Sequence, residues 1–266
     1  MAELNPITLW KRLLAMPNES RAKTLVMAFL VSAVCAVLVS GATVVLRPIQ
    51  AANRAAEQQM RLESLLSAIP GMRELMAEAE GGALTTVVVN LETGAAAENV
   101  TPATLDAALE DPANWTQLTP EKDTAGIGAR PDLAQIYLLR DGDRVSLAIF
   151  PVMGAGYVGP ISAMLAMRGD MTTIAGMTVT SQEETPGLGA RIEEPAWQAS
   201  FAGTKVTDEQ GNIRFNVARG PASGAYEVDG ITGATRTSNA VGRMVRFWVG
   251  PDGYGKVMGA IRRGEF

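Results

Sequence analysis

The stretch Asp229-Gly230-Ile231-Thr232-Gly233-Ala234-Thr235 lies directly before residues 236–249, whose pattern predicts the last helix of the chain. Gly233 and Ala234 let the backbone approach a bulky group closely, and Gly233 tolerates a positive φ. The unpaired amides and positive dipole end of a helix start favour a phosphate group, to which Arg236 would add a charged contact. A glycine-containing turn followed by a polar N-cap explains the same residues without a ligand. Spacing alone leaves both interpretations open.

A resemblance to a known motif favours the ligand. The pattern Asp-x-x-Thr-Gly-Ala-Thr resembles the flavinylation motif, in which FMN is joined through its phosphate to the hydroxyl of the last threonine. Five constrained positions are expected by chance in roughly one in a thousand chains of this length. The resemblance implies that Thr235 carries the cofactor. It also implies that the remaining motif positions form the recognition sequence: Asp229, Thr232, Gly233 and Ala234.

The chain as a whole resembles the C subunits of the Na+-translocating NADH:quinone reductases, a family of FMN-binding domains with covalent flavin. Composition agrees with a redox role that depends on an organic cofactor. The 266 residues carry a formal net charge of −5, which gives nucleic-acid binding no electrostatic support. The absence of histidine excludes Ser-His-Asp and Cys-His catalysis, and the single Cys35 can form neither an intrachain disulfide nor an iron–sulfur cluster.

The N-terminal part predicts a membrane anchor. Residues 5–16 have the pattern of a short amphipathic helix at a membrane surface. Thr24 to Leu46 is a run of 23 residues without a charge, about 34 Å long as a helix and sufficient to cross a bilayer core of roughly 30 Å. A cleaved signal peptide is the alternative, but the run is longer than the usual apolar region and lacks a clear cleavage site.

Charges around this run predict its orientation. Four cationic residues precede it and two follow it closely: Lys11, Arg12, Arg21 and Lys23 before, Arg47 and Arg54 after. The positive-inside rule therefore places the N-terminus in the cytoplasm and the C-terminal part outside the inner membrane, in the periplasm of a Gram-negative cell. The predicted divisions are 1–23 cytoplasmic, 24–46 transmembrane, 47–80 a helical connector, and 81–266 a periplasmic FMN-binding domain.

The rest of the chain predicts an α+β domain of antiparallel strands with packed helices. Asp141-Gly142-Asp143, between two β-rich runs, predicts a hairpin. Strands are predicted at 84–91, 136–139, 145–150, 171–180 and 213–217, and short helices at 104–109 and 197–201. Residues 161–167 fit a strand or a helix.

Two glycine-rich segments add candidate site residues. Gly154 to Gly159 matches G-x-G-x-x-G, but Pro160 follows at once and the next element ends after about nine residues, so a Rossmann crossover is rejected. The family resemblance instead places Gly156, Tyr157 and Gly159 near the flavin.

The second segment, Glu183 to Ala190, contains a proline-stiffened loop that can turn backbone amides toward a ligand, although a structural loop is an equal alternative. It resembles the Glu-Thr-Pro-Gly-Leu-Gly signature of FMN-binding domains. The resemblance adds these positions to the site: Glu184, Thr185, Gly187, Leu188 and Gly189. Lys205 matches a further family position, with its role open because a lone lysine is usually solvated.

The resemblance implies an electron-transfer subunit of a Na+-pumping NADH:ubiquinone oxidoreductase, with no catalytic side chain and no metal. The other subunits of the membrane complex and a flavin transferase that uses FAD are the implied partners, with NADH bound elsewhere. The G subunit of an Rnf-type electron-transport complex is the nearest alternative, although the long region 82–134 favours the quinone reductase. A membrane-anchored binding module without cofactor stays open as a different class.

Overall fold

The computed structural model describes residues 15, 17, 20, 21, 23–41, 43 and 84–266, and it divides into two units between residues 62 and 63. In the first unit, helix α1 (Lys23–Gly41) is long and apolar enough to cross a membrane. Its large side chains are exposed, with Leu25 at 71% and Phe29 at 72%. This helix agrees with the predicted anchor, whereas the predicted connector and most of the predicted amphipathic helix lie outside the described residues.

The described part of the second unit is an antiparallel sheet with helices packed against it. Five strands form this sheet in the order β1-β4-β5-β6-β7, and all neighbours are antiparallel. Two strand pairs, β2 with β3 and β8 with β9, lie apart from it. The strands are β1 Leu84–Asn90, β2 Trp115–Gln117, β3 Ala129–Pro131, β4 Leu133–Asp141, β5 Arg144–Ala155, β6 Pro160–Arg168, β7 Ile174–Ser181, β8 Asn216–Val217 and β9 Glu227–Val228.

Four further helices follow α1 within the described residues: α2 Leu105–Leu109, α3 Pro195–Ala199, α4 Thr235–Val249 and α5 Gly255–Arg262. Short 3-10 turns occupy Pro112–Asn114 and Gly189–Glu193. The α+β class with an antiparallel sheet and packed helices is therefore confirmed.

The predicted hairpin is confirmed at the β4–β5 connection, where Asp141 pairs with Arg144 across a two-residue loop. Gly142 has φ of 59°, a left-handed conformation that its missing side chain permits. The open strand-or-helix choice at 161–167 is resolved as β6. This strand is buried between β5 and β7, and apolar residues such as Ile161 and Leu165 alternate toward the core.

Helix α4 packs against β5 and closes the main core. Val241 and Val245 are fully buried beside strand residues such as Phe150 and Val152. A Cβ on Gly154 would lie 3.0 Å from the Cβ of Met244, so glycine permits the close approach of strand and helix.

Two hydrogen bonds fix the C-terminal end of this packing. Trp248 donates its indole N–H to the carbonyl of Met153 at 2.6 Å, and the Tyr254 hydroxyl donates to the carbonyl of Pro151 at 2.8 Å. Because β5 runs on into the 156–159 loop, these bonds set where that loop leaves the sheet.

Several predicted elements differ from the observed ones. The sequence pattern predicts no helix after Val249, yet α5 follows, since Val257, Met258 and Ile261 form an apolar face that the core buries. The predicted strand 213–217 is reduced to β8, because Ile213 closes a turn by bridging to Thr207. The β2–β3 pair was not predicted at all, since three-residue strands carry too little alternation.

Candidate functional site

Three segments that are far apart in sequence meet at an open pocket of about 260 Å³ at the start of α4. They are the loop after β5, the loop after β7, and the turn leading into the helix. The residues lining the pocket are Tyr157, Glu184, Thr185, Leu188, Gly189, Gly233, Ala234, Thr235, Arg236 and Thr237. The structure thus brings both predicted glycine-rich segments to the predicted threonine motif.

At the start of α4, backbone amides are left without a hydrogen-bond acceptor in the part of the chain that the structure describes. Gly233 has φ of 84°, which turns the chain into Ala234, and the Ala234 N-cap supplies no side-chain bond. The first helical backbone bond runs from the amide of Ser238 to the carbonyl of Ala234 at 2.9 Å. Within residues 84–266, the amides of 235–237 have no hydrogen-bond acceptor, as expected for the first turn of a helix. Thr235, exposed, is the first residue of this turn.

Glu184 joins the three segments from inside. Its residue is only 4% exposed, and its Oε1 accepts hydrogen bonds from the amides of Tyr157 at 2.6 Å and Val158 at 3.0 Å. Its Oε2 accepts from the Thr237 hydroxyl at 2.6 Å. A single buried carboxylate therefore ties the loop after β5 and the first turn of α4 to the loop after β7.

The hydrogen bonds keep this carboxylate ionised. Desolvation alone would raise the pKa of Glu184. The bonds from the Thr237 hydroxyl and from the backbone amides of 157–159 outweigh it, so the pKa lies below its ordinary value. The site consequently holds a fixed negative charge at neutral pH, and both carboxylate oxygens accept hydrogen bonds from internal donors.

Two glycines make room for the carboxylate. A Cβ on Gly156 would collide with Oε1 of Glu184. A Cβ on Gly189 would lie 2.5 Å from Oε2 of Glu184 and 2.6 Å from Oγ1 of Thr237. Gly156 and Gly189 thus leave the space that the Glu184 carboxylate occupies, and a larger residue at either position would not fit.

Arg236 supplies the positive charge at the pocket. Its guanidinium carbon lies 4.9 Å from the ring centroid of Tyr157, a cation–π contact worth about 0.5–1 kcal/mol at an exposed site. Among the described residues Arg236 takes part in no ion pair.

Exposed apolar side chains lie in the two loops beside the pocket. Tyr157 and Val158 are each 58% exposed and Leu188 is 48% exposed, and the two loops that carry them flank the helix start. Exposed apolar side chains grouped beside a pocket are typical of a ligand-binding site. The arrangement fits a ligand with an anionic group at the helix start and a flat apolar part against the loops.

Some predicted site residues lie outside the pocket lining. Asp229 braces the preceding loop, since its carboxylate accepts from the amide of Ala222 at 2.6 Å and its carbonyl from the indole of Trp197 at 2.7 Å. Lys205 is exposed and bridges to Thr173, directly before β7 and so at the end of this strand opposite the loop that carries Glu184. The remaining positions outside the lining are Gly156, Gly159, Gly187 and Thr232.

The sequence predicts that Thr232 orients the turn through a local hydrogen bond, but within the second unit's described residues its hydroxyl has no partner. Ser238 takes that role instead, because its Oγ accepts from the amide of Ile231 at 3.1 Å. Thr237 and Ser238, both buried, were missed as site residues. The hydroxyl side chains at 235, 237 and 238 were the available signal, but a sequence does not show which helix positions face inward.

Among the residues that the structure describes, no group of three or more Asp, Glu or Cys side chains could hold a metal ion. The site and fold define the class: an FMN-binding domain, whose family model matches residues 156–250 and so spans both loops and α4. The C subunit of the Na(+)-translocating NADH-quinone reductase of Pseudomonas aeruginosa is 34% identical over 258 residues, covering 93% of this chain and 98% of its own. The corresponding protein of Yersinia pestis is 35% identical, covering 93% and 95%.

The chain therefore belongs to the family of C subunits of Na(+)-translocating NADH-quinone reductases. The crystal structure of Shewanella oneidensis NqrC has the same fold, with a TM-score of 0.65 at 24% identity, covering 78% of this chain and 99% of that one.

The role of Gly189 gives a first test. Gly189→Ala places a methyl group against two side chains locked in a hydrogen bond, so the free energy of unfolding should fall by about 1–3 kcal/mol. Gly220→Ala is the matched control, because no atom lies within 4 Å of its added Cβ. Urea unfolding of both variants measures the difference. If the two variants had the same free energy of unfolding, the space beside Glu184 would accept a methyl group, and the packing role of Gly189 would be wrong.

The lowered pKa of Glu184 gives a second test. A carboxyl whose pKa is depressed on folding stabilises the fold fully above its unfolded pKa, and this contribution is lost as pH falls through the folded pKa. At pH 7, Glu184→Gln should therefore be less stable than the unmodified chain by about 1–2 kcal/mol.

This difference should shrink as the pH falls below about 4. Urea titrations from pH 7 to pH 3 measure it, and the other carboxyls cancel because both chains contain them. A gap that stays constant down to pH 3 would contradict the assigned ionised state.

Proposed function

We propose that this chain is a membrane-anchored electron-transfer subunit of a Na+-translocating NADH:quinone reductase, carrying FMN joined through its phosphate to Oγ1 of Thr235. The observation that carries the proposal is the position of Thr235. Its exposed side chain is at the first turn of α4, lining the pocket in which free amides and Arg236 meet.

The residues present fit FMN. The amides of 235–237 and the guanidinium of Arg236 suit a phosphate group. The exposed side chains of Tyr157, Val158 and Leu188 suit a flat ring system. When bound, FMN supplies the redox chemistry, and the chain's part is to hold it, shape its surroundings and exclude competing reactions.

Attachment requires a hydroxyl that a transferase can reach. Thr235 Oγ1 would form a bond to the phosphorus of the FMN half of FAD, the pyrophosphate bond would break, AMP would leave, and the hydroxyl proton would pass to solvent. Within the described second unit the Thr235 hydroxyl makes no hydrogen bond, so no internal contact has to be broken for this step. The ester prevents loss of the cofactor and keeps it at high effective concentration near its electron partners.

Glu184 positions this arrangement without reacting. Both of its oxygens accept internal hydrogen bonds, from the amides of Tyr157 and Val158 and from the Thr237 hydroxyl, so it serves as an anchor and no acid–base role is assigned to it. Its fixed negative charge lies in the pocket wall and is one of the charges that set the electrostatic potential at a bound flavin.

The anchor and its orientation complete the proposal. Helix α1 overlaps residues 24–46, which would cross the membrane, with 1–23 cytoplasmic, 47–80 a connector and 81–266 in the periplasm. The cationic residues before the span support this orientation. The partners are the other subunits of the complex, of which one binds NADH and passes electrons toward ubiquinone, and a flavin transferase.

The attachment site is tested by substitution at Thr235. Thr235→Ala should abolish covalent flavin in cells that also express a flavin transferase, because the accepting oxygen is gone. The domain should stay folded within about 0.5 kcal/mol, since the hydroxyl makes no internal hydrogen bond. In-gel flavin fluorescence after denaturation and intact mass measure the loss.

Thr235→Ser keeps the oxygen and should retain partial attachment, while Thr232→Ser is the matched control and should retain FMN on Thr235. Undiminished covalent flavin in Thr235→Ala, or FMN on a peptide at Thr232, would overturn the assignment. A chain that carries neither covalent nor non-covalent flavin would instead favour a binding module without cofactor.

The orientation is tested with reporter fusions. A reporter that is active only in the cytoplasm should be silent when fused after Phe266 and active when fused after Ser20, because α1 separates the two positions. Activity at both sites would refute the periplasmic placement.

A further inference from the structure

Arg236 is placed where a helix disfavours a cation. It is the second residue of α4, in a first turn that contains no acidic residue. The positive end of the helix dipole repels a guanidinium there. None of the ion pairs among the described residues includes Arg236. The guanidinium therefore has no carboxylate oxygen within 4 Å among the described residues.

The side chain is nevertheless held in one place. Its guanidinium lies over the ring of Tyr157, with 4.9 Å from the guanidinium carbon to the ring centroid. Both residues line the same pocket as Thr235. The cation thus lies at the wall of the pocket that Thr235 also lines.

The Tyr157 ring can support the guanidinium because a hydrogen bond holds the backbone that carries the ring. The amide of Tyr157 donates to Oε1 of Glu184 at 2.6 Å, and Oε2 of the same carboxylate accepts from Thr237 at 2.6 Å. Thr237 adjoins Arg236 in α4. One buried carboxylate therefore links the loop that carries the ring to the turn that carries the cation.

We propose that Arg236, held on the Tyr157 ring, is a specificity-determining residue that selects phosphorylated flavin and fixes the phosphate beside Oγ1 of Thr235. This rests on the proposed FMN site and adds the residue that distinguishes FMN from a flavin without phosphate. Arginine suits the role because its planar guanidinium stacks on an aromatic face and still presents N–H donors at its edge to phosphate oxygens. A lysine ammonium keeps the charge but not the stacking.

The test separates recognition from attachment. The full-length chain with Thr235→Ala cannot form the ester, so non-covalent binding of FMN and of riboflavin is measured by quenching of flavin fluorescence. FMN is expected to bind about tenfold more tightly than riboflavin, the range of one charge-assisted contact. Adding Arg236→Gln should bring the ratio of the two dissociation constants close to one, chiefly by weakening FMN.

Three further variants define the mechanism. In the same background, Arg236→Lys should keep part of the preference for FMN through its charge. Tyr157→Phe keeps the ring and should keep the full preference. Tyr157→Leu removes the support and should reduce the preference severalfold. The ratio of dissociation constants is read in each case, so a general loss of flavin affinity does not count as loss of selectivity.

An unchanged ratio in Arg236→Gln, or no detectable FMN binding in the Thr235→Ala chain, would overturn the selectivity assignment. Attachment is judged separately by intact mass on chains that retain Thr235. If Arg236→Gln loses selectivity and the parent chain gains one FMN less one water, both proposals hold. If the parent gains no mass while FMN is still preferred, the covalent proposal fails and the role of Arg236 stands.

Discussion

The buried carboxylate of Glu184 is the constraint on which the site depends. An ionised carboxylate that is 4% exposed is stable only when its oxygens are hydrogen-bonded. In this chain the donors come from the two elements that must meet: the loop after β5 and the first turn of α4. Because the Glu184 carboxylate needs these donors, it fixes the relative positions of the loop after β5, the loop after β7 and the first turn of α4. The glycines at 156 and 189 follow from it, because a side chain at either position would occupy the carboxylate's space.

The two ends of the pocket differ in charge and in hydrogen bonding. The anionic end is hydrogen-bonded internally. The cationic end, formed by Arg236 and the amides of 235–237, has no ion-pair partner within the described domain. A phosphate at Thr235 would complete the second end and leave the first untouched. The exposed side chains of Tyr157, Val158 and Leu188 then lie where the ring of a tethered flavin would be held near the protein surface. Such a position suits a carrier that exchanges electrons with other proteins of the complex.

Much of the fold and of the candidate site could be predicted from the sequence, because some elements are encoded locally and some residues match a known motif. The hairpin at Asp141-Gly142-Asp143 is encoded locally in three residues, and the uncharged run after Lys23 predicts α1 by composition alone. Motif resemblance by itself assigned Thr235, Glu184 and Tyr157 to one site. The roles of Thr237 and Ser238 could not be predicted, because they depend on which helix positions face inward. Helix α5 and the short strands β2 and β3 were missed, because their stability comes from long-range packing and not from local pattern.

The central claim is that Glu184 and Thr237 act as one unit that holds the helix start against both loops. A double-mutant cycle of Glu184→Gln and Thr237→Val on the free energy of unfolding at pH 7 tests it most directly. The two substitutions should be non-additive by about 1 kcal/mol or more, since each alone already breaks the shared contact. The double variant should accordingly be little less stable than the worse single variant. Strict additivity of the two losses would contradict the claim.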